Sequence, residues 1–203
     1  MLVLHIVYMQ LKNYNLSMGQ NYQEHKVLLF EYIIKLLIDW YRAVESSNQE
    51  DIDRHFSRLT SLKLLFFVST IKHKNGKDLL DTFSNFYAMQ YGPVEADIYN
   101  GIVKSSTKIY HFGTHSLSHK DKDTNSDSIF SQVDSQEKTD IQTSINLLKE
   151  RNPQIISYNA SKLINISHKW EAWQNAMTIA VMLGKGSEQM PKESIRSNPQ
   201  IYE

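Results

Sequence analysis

The sequence predicts a mainly α-helical protein, a single compact domain with one short β-hairpin or strand pair near residues 80–91. Three observations carry that expectation. Apolar residues recur at three- and four-residue steps through most of the chain, the period of one helix face. Glycine and proline are scarce, 7 and 4 among 203 residues, and strict alternation is rare, which speaks against an all-β barrel or sandwich. A chain of this length fits one domain that buries roughly 70% of its unfolded surface.

The elements follow in order. Residues 1–21 are expected as an N-terminal extension. Met1 to Met9 is apolar but short, without a basic leader or a small-residue cleavage site, so no secretory signal is read. Met9 and Met18 are alternative initiators, and a loosely packed end is expected there. The domain proper is expected over 22–183. Phe30, Ile33, Ile34, Leu37, Trp40, Tyr41 and Val44 form the inward stripe of a first helix. Glu31, Lys35, Asp39 and Arg42 form its polar stripe, with Glu31 and Lys35 in the favourable i,i+4 order. Glu50 to Ile71 reads as one second helix, buried nearly all round in its second half. Lys72 to Lys77 is a basic turn closed by Asn75-Gly76. Residues 78–90 have helical spacing, yet Phe86 to Met89 is also good strand material. Pro93 then suits the first position of a new helix, with Gly92 turning the chain and Glu95 and Asp97 as first-turn acids.

From His111 to Asp140 the composition turns polar, and a long loop is expected. Helical period returns at Ile141 to Leu148, again over 155–166, and at Lys169 to Leu183. Gly184 and Gly186 end the last helix, leaving 184–203 as a polar C-terminal tail. No internal repeat is present.

Composition excludes several functions. The 22 basic and 22 acidic residues balance, which disfavours a nucleic-acid coat or a membrane-surface protein. No apolar run approaches a membrane span. There is no cysteine, hence no disulfide frame, thiolate nucleophile or cysteine zinc site. His111, His115 and His119 stand at i, i+4 and i+8, which would stack three imidazoles if the segment were helical. Gly113 and the flanking serines argue for a polar loop instead. His168, between two apolar segments, could serve as a general base, although a helix-capping or core role is the commoner one. No nucleophile elbow, phosphate loop or zinc-protease signature is present. The residues alone describe a helical domain with no evident catalytic site.

Three blocks, in order, carry a resemblance. They are Leu62-Lys63-Leu64-Leu65-Phe66-Phe67, then Ala88-Met89-Gln90-Tyr91-Gly92-Pro93-Val94 with Tyr99 following, then Leu163 through Ser167-His168 to Trp173. Together they resemble the Panacea domain of SocA-like antitoxins, a phage-associated protein family, over roughly residues 27–183. Phe66 stands where that family prefers Tyr, Met89 where it prefers Trp, and Ser167 where it prefers Thr. The resemblance implies an antitoxin, not an enzyme, that neutralises a protein toxin by direct binding. The toxin would be encoded by an adjacent gene, and a protease would be a second partner in members that act as adaptors. A cytoplasmic location and no cofactor are implied with it. The residues it singles out for binding are Tyr91, Gly92, Pro93, Tyr99, His168 and Trp173. Tyr91, Tyr99, His168 and Trp173 are expected where the distant blocks meet, either as a buried cluster or as a recognition surface. The rival readings are a metal-dependent or histidine-based hydrolase and a DNA-associated regulator; the second has only the Lys72–Lys77 turn behind it.

Overall fold

A computed structural model of the chain describes the backbone of residues 2–121 and 125–203, and the side chains of 19, 21–121 and 125–203. The first helix, α1, runs Leu2–Glu45. It is followed by α2 (Gln49–His55) and α3 (Arg58–Thr70). The hairpin strands β1 (Phe86–Met89) and β2 (Gly92–Glu95) lead into α4 (Ala96–Val103). A second hairpin, β3 (Tyr110–Phe112) and β4 (Leu117–His119), precedes α5 (Ser126–Phe130) and α6 (Ser135–Arg151). After a 3-10 turn at Ile155–Ser157 come α7 (Ala160–His168), α8 (Glu171–Met182), β5 (Ser187–Gln189) and α9 (Lys192–Ser197). The fold is mainly helical, with a three-stranded antiparallel sheet in the order β2-β1-β5 and a separate β3-β4 pair.

The core is built around α3. Leu64, Leu65, Phe66, Phe67 and Val68 are all buried, and five consecutive buried residues cover every side of the helix, as in a central helix. It packs against α6, α7 and β2, while α1 lies along α4 and α6. Phe66 meets Phe86 and Trp170 edge-on, with ring centroids 5.4 and 5.0 Å away. Such tilted contacts are the favoured geometry for aromatic pairs.

Several expectations are corrected. The second helix is two: α2 ends at His55, and α3 restarts after Ser57, whose extended backbone (φ −52°, ψ 159°) breaks the helical path. Pro93 does not begin a helix; it lies within β2, and α4 starts at Ala96 with the Glu95 carboxylate accepting from the Ile98 N–H. The 111–140 segment carries β4, α5 and the start of α6, the last fixed by a reciprocal Asp134–Glu137 capping box. The region 184–203 carries β5 and α9. It is strapped down by a two-pronged Arg196–Asp78 ion pair, both contacts 2.8 Å, and by Tyr202, buried beside Phe67 and Trp170. The expected looseness of residues 1–21 concerns side chains that, through Met18 and at Gln20, lie outside the described residues.

Two buried acids hold the layers together. Glu31, placed by period on the solvent stripe, is buried and accepts three backbone N–H groups, from Lys108, Ile109 and Tyr110, at 2.7–2.8 Å. It ties the entry to β3 onto α1. Burial raises its carboxyl pKa, and those three N–H donors act against the rise. Lys26, also buried, reaches Glu95 at 2.5 Å and Asp97 at 2.7 Å, so α1 is ionically bolted to the end of β2 and the start of α4.

Candidate functional site

The site is assembled around the β1–β2 turn. Met89 faces Gly92 across the hairpin, leaving Gln90 and Tyr91 as a two-residue loop. Neither loop residue takes a positive φ; Gly92 does, at +89°. This is a tight turn completed by a left-handed glycine, with the strand register unbroken on either side. Glycine is needed at 92 for a second reason. A Cβ there would collide with Ser167 Oγ and come within 3.2 Å of Lys63 Cε. The bend of block two therefore sits directly on block three and block one.

Hydrogen-bond alternation explains Pro93. Ala96 N–H donates to Asn85 C=O at 2.9 Å, so bonded pairs recur at Tyr87–Val94 and Met89–Gly92. Pro93, opposite Ala88, points its backbone away from β1, where a missing N–H costs nothing. Its outward carbonyl still needs a donor, and Lys63 Nζ supplies one at 2.6 Å. Lys63 is completely buried in α3. No carboxylate pairs with it among the described residues, and desolvation pushes its pKa down from 10.5 to about 7. The lysine thus closes the β2 edge of the sheet.

The other side of the hairpin is held by α8. Trp173 donates its indole N–H to Met89 C=O at 3.1 Å. Its ring stacks on His168, with centroids 3.7 Å apart and planes 11° from parallel. Burial, and after it the neighbouring Lys63, hold the His168 imidazole below its usual pKa, and the Gln90 backbone acts the other way. His168 Nε2 is buried without a hydrogen-bond partner among the described residues.

Of the residues singled out from sequence, Gly92, Pro93, His168 and Trp173 are brought together. Tyr91 stands on the hairpin tip and is 59% exposed, so the buried-cluster alternative does not describe it. Tyr99, on α4, is 38% exposed, and no hydrogen bond or ring contact among the described residues joins it to the tip. The three-histidine run is not helical: His111 and His119 lie on β3 and β4, and His119 rests against Tyr110. Among the described residues no group of three or more His, Asp or Glu is placed to hold a metal ion.

Sequence reasoning missed the roles of three residues. Lys63 was legible only as a lone charge in a helix read as buried all round. Met177 and Val181 continue the Trp173 face of α8 at four-residue steps. Val181 is largely exposed, so an apolar strip leads from the hairpin toward the end of the helix.

The geometry defines a small helical domain in which an antiparallel hairpin is clamped between a buried helix and an outer one, its aromatic tip left outside. The chain belongs to the family described as antitoxin SocA-like, Panacea domain, whose profile matches residues 62–174. The matched span contains all three blocks and the whole clamp; α1, α2, β5 and α9 lie outside it. No curated protein and no solved structure matches the chain. Among the described residues, no helix is long and apolar enough to cross a membrane.

Proposed function

We propose that this chain is the antitoxin of a toxin–antitoxin pair, a cytoplasmic protein that holds a protein toxin inactive by binding it, without making or breaking a covalent bond. Family membership supports the antitoxin role. The observation that carries the binding mode is the exposed Tyr91 on a backbone immobilised from three sides, by Lys63, Ser167 and Trp173. A preorganised aromatic tip offers large contact area at little ordering cost.

In this reading Tyr91 contacts the toxin, with Tyr99 toward the rim and the Trp173–Met177–Val181 strip beside it. Gly92 and Pro93 set the direction of Tyr91. His168 acts through its stack on Trp173 as a positioning residue. The toxin is sought in the neighbouring reading frame. Co-expression of that frame with the wild-type chain should restore growth, and Tyr91→Ala should fail to restore it while remaining folded. Full rescue by Tyr91→Ala together with Trp173→Ala would refute the assignment of this face.

A further inference from the structure

We propose that the free edge of β5 is a second recognition surface, one that takes up an extended segment of the bound protein as an added antiparallel or parallel strand. This rests on the antitoxin reading above and names the form of the partner.

The sheet has two outer edges, and they are treated differently. The β2 edge is closed by Lys63 and α7. At β5, Met190 N–H donates to Phe86 C=O at 2.8 Å. By alternation Ala88–Glu188 is the next bonded pair, whereas Tyr87–Gln189 and Met89–Ser187 are not. Ser187 and Gln189 therefore turn their backbone groups outward. Among the described residues the Gln189 N–H has only the neighbouring Glu188 carboxylate, at 3.3 Å, a local stopgap that an incoming carbonyl can replace. Unpaired strand edges are templates for extended chains.

A groove of about 510 Å³ runs along this edge, between α8 and α9. Both Glu188 and Gln189 line it. Consecutive strand residues face opposite ways, so a groove touching both follows the edge itself. Ala176 and Ile179 give it an apolar wall, and Glu171 and Glu188 are its only charged lining residues. Glu188 pairs with Lys185; Glu171 makes no ion pair among the described residues. The fitting partner is an extended segment with apolar residues at alternate positions and a lysine or arginine among them.

Gln189→Pro is the selective perturbation. It deletes the outward N–H and spares both inward-facing pairs; Glu188 already has the extended backbone that a following proline demands. Gln189→Ala changes the side chain only. With the protein encoded by the neighbouring frame as probe, calorimetric titration should show binding weakened about tenfold or more by Gln189→Pro and by less than about twofold by Gln189→Ala, as main-chain recognition requires. Equal affinities for the two variants overturn the proposal and leave the hairpin reading intact; absence of any binding to the wild type overturns both. If Gln189→Pro is not folded by circular dichroism, hydrogen exchange on the wild type decides. The Gln189 amide should become protected when the probe is added, and an unchanged rate overturns the proposal.

Discussion

Lys63→Met should make this protein more stable near neutral pH and less stable near pH 10. The folded state holds the Lys63 amine at a pKa of about 7, against 10.5 when solvated. Between those values the unfolded chain binds a proton that the folded chain does not, so stability rises with pH across that window, at up to about 1.4 kcal/mol per unit. Below pH 7 both states are protonated and this contribution is flat. The full span corresponds to about 5 kcal/mol of penalty at neutral pH. Methionine has similar length, fills the same space and carries no titration. It leaves the Pro93 carbonyl without its donor, at a cost of about 1–3 kcal/mol. Near pH 7 the removed penalty outweighs that cost; near pH 10 it does not. Urea unfolding of both proteins at half-unit steps from pH 6.5 to 10 measures the difference directly, and other titrations common to both cancel. A stability difference that stays constant over that range would show that Lys63 is solvated or paired, and the account of the sheet edge would fall with it.

Gly92→Ala should lower stability by about 2 kcal/mol or more, since it strains a left-handed position and drives a methyl into Ser167; a denaturation midpoint within error of wild type would contradict the clamp. Tyr91→Ala should shift stability by less than about 0.5 kcal/mol, as for other exposed positions, while abolishing neutralisation of the toxin in a growth assay. Arg196→Ala strands the Asp78 carboxylate, whose side chain is 1% exposed, and should cost about 3 kcal/mol. Its signature would be faster proteolysis near residues 184–203 before global unfolding. Glu31→Ala leaves three buried N–H groups without an acceptor and should destabilise by about 3–5 kcal/mol, with hydrogen exchange at Ile109 and Tyr110 rising first.

What could be read from the sequence depended on whether the signal was periodic. The inward face of α1 was legible because burial from Phe30 to Trp40 follows the helical repeat, and α3 because the unbroken apolar run Leu64 to Val68 marks a helix buried on every side. The hairpin was half legible: Phe86 to Met89 showed strand character, but Pro93 fits a helix start and an edge strand equally well, and only the pairing with Ala88 decides between them. Polar residues that settle in the interior have no periodic signature. Glu31 occupies a position that reads as solvent-facing, and its three N–H partners lie 77–79 residues away. The same holds for Arg196 and Asp78, 118 residues apart, and the strap they fasten therefore read as a polar tail.

The distribution of these invisible contacts bears on function. Lys26, Glu31 and Arg196 lie outside the span that defines the family, whereas Lys63, Gly92, Ser167 and Trp173 lie inside it. The matched span thus contains the hairpin clamp and its supports, while the flanking elements add the Lys26, Glu31 and Arg196 contacts from outside it. An apolar residue at 63 would avoid the desolvation of a buried amine, so the lysine stands there at a cost that its bond to the Pro93 carbonyl only partly offsets. On the proposed antitoxin reading, that cost serves to hold the backbone of the exposed Tyr91 in place for a second protein.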